Sequence, residues 1–136
     1  MFDITILVKI FFFGFLLNVV WELAHSVLYA TCLKNSHREN VFLLLKMSGK
    51  DAGIILLFYL ASRFIFGVIN LFTHPPALIF FVGMALLFAF VDERISVRRK
   101  RWAYAPAMPV LFGVGATPLL ELAITGVGAI GLTFLL

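Results

Sequence analysis

Apolar residues fill most of the chain in long runs, and polar residues gather mainly in the short interruptions between them. A bilayer core of about 30 Å takes roughly 20 largely apolar residues as helix. Runs of that kind cover about 4–33, 51–72, 76–97 and 110–136. They predict an all-α polytopic integral membrane protein, an antiparallel four-helix transmembrane bundle forming a single domain over 1–136. The first run exceeds the core at a rise of about 1.5 Å per residue, so it tilts or starts in the interface, where Lys9 snorkels.

Each run has a recognisable end. The first stops at the polar stretch Lys34 to Asn40. Asp51 has the chemistry of an N-cap for the second helix. Thr73, His74, Pro75 and Pro76 make a tight connector, with Pro76 suited to a first helical turn. Arg98, Arg99, Lys100 and Arg101 stop the third helix, and a loop bearing Trp102, Tyr104, Pro106 and Pro109 leads into the fourth. The short apolar segment Val41 to Met47 reads as an interfacial turn of helix.

Composition turns this pattern into a class. The 136 residues are 62% hydrophobic and 13% charged, against about 25% charged in soluble domains. A soluble enzyme lacks cover at that charge content, a disordered chain is far less apolar, and a disulfide scaffold needs more than the single Cys32. Charge also orients the spans. Lys34, Arg38, Lys46, Lys50 and Arg98 to Arg101 fall in the first and third connections, and the second has no Lys or Arg. The positive-inside rule makes those two connections cytoplasmic and puts both termini outside the cytoplasm, in a multi-pass protein of the cell (inner) membrane. The N-terminal run is too long for the apolar part of a signal peptide and is kept as the first helix. The basic clusters are explained by orientation and lipid headgroups, so nucleic acid is not an expected partner.

Ionisable residues inside a span cost about 2.5–3.5 kcal/mol each on insertion scales and mark functional interiors by default. Asn18, Glu22, His25 and Tyr29 are spaced 4, 3 and 4 apart, one helical face flanked by Trp21. Tyr59, Arg63, Phe66 and Asn70 repeat that spacing on the second helix. On the fourth, Thr117 shares a face with Glu121, and Pro118 is placed to kink the helix. Counted from the cytoplasmic helix ends, Glu22, Arg63 and Glu121 fall at one depth, about 17 Å in, which predicts a midplane Glu22, Arg63, Glu121 cluster with His25 beside it. Asp92 and Glu93 would line its cytoplasmic entrance, under Trp102 and Tyr104.

The chemistry expected of such a cluster is proton exchange, with Glu22, His25 and Glu121 as the catalytic groups. Asn18, Trp21, Tyr29, Tyr59, Arg63, Asn70, Asp92, Glu93, Trp102 and Tyr104 form the expected binding surface. Glu22 and His25 resemble half of a helical carboxylate and histidine metal pair, but His37 and His74 lie outside the spans, so no metal ligands are expected. With one histidine in the spans haem is disfavoured, and the cofactor is left unknown. The function expected is binding and processing of a small or lipid-like molecule. The alternatives are a proton-coupled transporter acting as an oligomer and an accessory subunit of a larger membrane complex. Membrane lipids are the expected partners, with a second copy of the chain or another membrane protein beside them.

Overall fold

The computed structural model describes residues 3–136. The protein is predominantly helical: α1 Ile4–His25, α2 Ala30–Lys34, α3 His37–Phe66, α4 Pro75–Arg98 and α5 Ala116–Leu135, with 3-10 turns at Ser26–Leu28 and Leu71–Thr73. Among the described residues three stretches are long and apolar enough to cross a membrane, Ile4–Leu28, Pro75–Arg98 and Ala116–Leu135. The expected second span lies within α3, whose last 18 residues carry Lys50, Asp51 and Arg63 and are more polar than the other three.

The boundaries differ from the sequence expectation in three places. The first run is broken at Tyr29, whose backbone is extended (φ −104°, ψ 123°). Tyr29 pairs there with Tyr104 as an antiparallel bridge, flanked by Ala30 N–H to Ala103 O and Ala105 N–H to Leu28 O, each 2.8 Å. The connection after α4 thus acts as a short strand that captures the end of the first run, and its hydrogen bonds replace helical ones.

The second difference is larger. Asp51 is not a cap but lies buried in the middle of α3, which starts 14 residues earlier at His37. The cap is Ser36, whose hydroxyl accepts from Glu39 N–H while the Glu39 carboxylate accepts from Ser36 N–H. This capping box absorbs Val41 to Met47 into the long helix. Gly67, at φ +68°, ends α3 in the left-handed conformation glycine tolerates.

Third, α5 begins at Ala116, and residues 110–115 form a hairpin. Val110–Leu111 (β1) pairs with Val114–Gly115 (β2) around Phe112 and Gly113, both at positive φ (53° and 81°). Two central residues of positive φ are the type I′ arrangement that joins tightly paired strands. Pro118 consequently falls in the first turn of α5, where its missing N–H breaks no bond, rather than kinking the helix.

α1 packs against α3 and α5, and α4 packs against α5 and α3. Ile10, Ile55, Tyr59, Leu71, Phe81 and Ile130 are buried together. Gly14 lets α1 approach α3: a Cβ there would sit 3.6 Å from the Ala52 Cα. Val8, Val20 and Leu23 on α1 and Ile79 and Leu87 on α4 stay exposed, an outward face of the kind lipid accepts better than water.

Candidate functional site

The polar interior gathers at one end of the fold, near the basic segments. Glu22 is three residues from the end of α1, Glu93 is five from the end of α4, and Glu121 is five from the start of α5. Each carboxylate therefore lies one or two helical turns from its helix terminus.

His25 is the centre of the first group. It is buried, its Nε2 is 2.9 Å from Glu22 Oε2 and 4.0 Å from Glu121 Oε2, and its Nδ1 is 3.2 Å from Thr117 Oγ1. The Thr117 hydroxyl donates to the Met108 thioether at 3.4 Å. Its oxygen is thereby left to accept from His25 Nδ1–H, while Nε2 faces the two carboxylates. Edge-to-face contacts from Trp21 (6.3 Å) and Tyr29 (5.4 Å) hold the imidazole from both sides.

Glu93 organises the second group. Its Oε1 accepts from Tyr29 OH at 3.0 Å, Trp102 Nε1 at 3.0 Å and Tyr104 OH at 2.8 Å. Gly115 N–H donates in turn to the Tyr104 oxygen at 2.8 Å, tying the hairpin to the carboxylate. Burial, reinforced by the Glu93 charge, pushes the Tyr29 and Tyr104 phenols above their ordinary range, so both stay protonated donors. Beside them Lys50 Nζ pairs with Asp92 at 2.8 Å and lies 4.0 Å from Asp51.

Two cavities adjoin these groups. One, of about 180 Å³, is walled by Glu22, Ser26, Cys32, His37 and Asn40 with Leu23, Val41, Leu43 and Leu44. The other, of about 40 Å³, lies among Tyr29, Lys50, Asp51, Asp92, Glu93, Trp102 and Glu121. It is large enough for a few water molecules.

The structure thus brings Glu22, His25, Tyr29, Asp92, Glu93, Trp102, Tyr104 and Glu121 to one end, with Trp21 against His25. Four of the expected binding residues, Asn18, Tyr59, Arg63 and Asn70, are outside this group. Arg63 hydrogen-bonds Tyr59, whose hydroxyl donates to Ile69 O at 2.8 Å, and Asn70 accepts from Phe72 N–H as a turn cap. The expected Glu22, Arg63, Glu121 cluster is corrected by the start of α3. With His37 as its first residue, Arg63 is three residues from the far end, and the α3 carboxylate level with Glu121 is Asp51. Asn18 joins helices: its amide donates to Gly14 O at 2.7 Å and its oxygen lies 3.2 Å from Thr125 Oγ1 on α5.

Sequence reasoning missed Asp51, Lys50 and Thr117 as members of the site. A signal for Asp51 was present: Ser48, Asp51, Ile55, Phe58 and Ser62 are spaced 3, 4, 3 and 4 apart and all are buried. Compared with known protein families, with characterised proteins and with solved structures, the chain matches none.

Proposed function

We propose that the chain is a four-span membrane protein, with both termini outside the cytoplasm, that binds a small or lipid-like molecule at its cytoplasmic end and processes it by proton transfer. On this reading the second half of α3 is the fourth span and its charged first half emerges beside the basic loops. The observation that carries the reading is the position of Glu22. Its carboxylate forms part of the wall of the 180 Å³ cavity and is hydrogen-bonded to the buried His25. A ligand in that cavity would meet a carboxylate and imidazole pair able to give or take a proton, with Glu121 behind it. The wall is mixed, polar at Glu22, His37 and Asn40 and aliphatic at Leu23, Leu43 and Leu44, which suits the junction of a headgroup and a chain.

Proton-coupled transport is less well supported, because the grouped carboxylates and both polar cavities belong to one end, and a transport path needs access from two faces.

The test is native mass spectrometry of protein extracted gently from its own membrane, with lipid extraction of the same sample. A single retained amphiphile is expected, at least about tenfold depleted in Glu22→Gln, the loss of one charge-assisted contact. Retention unchanged in Glu22→Gln, or a stoichiometric protein partner with no ligand, would overturn the reading.

A further inference from the structure

Three candidate ligand atoms, from Glu22, His25 and Glu121, face one another at the end of α1. His25 Nε2 lies 2.9 Å from Glu22 Oε2 and 4.0 Å from Glu121 Oε2, and one ligand atom from each of the three residues can be chosen so that all lie within 4.8 Å of one another. Acceptors do not gather in a buried site unless something positive lies between them. Glu121 supplies a second, separate observation. It is 5% exposed and its Oε1 has no hydrogen-bond partner among the described residues. A proton on Nε2 would serve Glu22 and leave Glu121 Oε1 still unpaired. A dication balances both carboxylates and gives Oε1 a bond.

We propose that Glu22, His25 and Glu121 bind one divalent transition-metal ion of the zinc class. The proposal rests on the reading of this end as a ligand site, and deepens it by naming what the carboxylates hold. Zinc takes imidazole nitrogen and carboxylate oxygen at about 2.0–2.2 Å, so rotamer shifts of about an ångström in the two Glu side chains close the site. The outer shell is already set. Thr117 accepts from His25 Nδ1–H and presents Nε2 as the ligand atom, the hydrogen-bonding role that fixes a metal-binding histidine. Three protein ligands leave a further coordination position, and Glu22 also walls the 180 Å³ cavity from which an oxygen-bearing ligand would reach it. The pattern escapes a search for paired helical motifs because its third ligand is 96 residues from His25 on another helix.

The experiment is zinc titration of purified, chelator-stripped protein in detergent, together with elemental analysis of protein never exposed to chelator. About one equivalent of metal is expected, with affinity reduced roughly 100-fold or more in His25→Ala and Glu121→Gln, and about tenfold in Thr117→Val. Cobalt loaded into the unaltered protein should give an absorption spectrum of nitrogen and oxygen ligation without thiolate charge transfer, which tests the site even where a variant fails to fold. Zinc binding indifferent to both ligand substitutions, no binding at micromolar zinc, or a cobalt thiolate band would overturn the proposal. Lipid extraction of the same preparation separates the two claims: an amphiphile retained without metal overturns the metal site alone, and metal without an amphiphile overturns the binding reading alone.

Discussion

Glu93 shows what a single buried carboxylate can organise. Three aromatic donors converge on its Oε1, from Tyr29 after the end of α1 and from Trp102 and Tyr104 in the connection after α4. Removing the acceptor leaves three donors without their common partner in a largely buried site. A hydrogen bond to a charged group contributes about 1.5–3 kcal/mol, so Glu93→Ala should destabilise by at least about 3 kcal/mol and release the 99–115 connection. Trp102 fluorescence and limited proteolysis of that segment would report it, and an unchanged cleavage pattern would contradict it. Cys32 has a quieter role. Burial pushes its thiol up, away from the thiolate form, so at neutral pH it packs as an apolar residue. Gly126 has a steric role, since a Cβ there would come within 2.6 Å of the Phe81 ring, itself fully buried. Gly126→Ala should cost about 1–3 kcal/mol by overpacking, measured as a lowered unfolding midpoint in detergent.

At the scale of elements, the start of α3 decides most. Ser36→Ala removes the cap and should cost about 1 kcal/mol, read by thermal unfolding followed by circular dichroism. The same cap carries a pH signature. Hydrogen bonds from Ser36, its backbone N–H first, hold the Glu39 carboxyl below its ordinary range. A carboxylate depressed in the folded state stabilises above its unfolded pKa, and that contribution disappears as pH falls through the lower folded value. The stability gap between the parent and Glu39→Ala should therefore be full at pH 7 and close below about pH 4, the ordinary Glu range. A gap constant over that interval would exclude the box as its source. The same element shows why part of the site was legible and part was not. Glu22, His25 and Tyr29 share a face by local spacing, and the structure keeps them adjoining. Arg63 was placed by counting depth from Asp51, and the count failed because an apolar run marks where a helix enters lipid, whereas a cap marks where it begins. Ser36 and Glu39 fit S-x-x-E, a sequence-visible cap that outweighs Asp51.

For the whole molecule, the testable property is sidedness. All the basic segments belong to the end that holds the acidic interior, and orientation should follow them. In a Cys32→Ser chain, Lys100→Cys should react with a membrane-impermeant maleimide only after cells are opened, whereas a cysteine placed at the N-terminus should react in intact cells. The reverse pattern would invert the proposed topology.

The apolar runs of membrane-spanning length are legible in the amino-acid sequence alone, because 62% hydrophobic residues cluster in stretches of about 20. The polar stripe on α1 is too, since helical spacing is a local property. Which polar residues meet was settled only by tertiary structure. The Tyr29 bridge to Tyr104, the Tyr29 hydrogen bond to Glu93 and the approach of Glu121 to His25 join residues 64 to 96 positions apart, whereas the Trp102 and Tyr104 bonds to Glu93 are short-range. Such contacts depend on where each helix stops and on which backbone groups a neighbouring segment satisfies, and neither is contained in the period of a single helix.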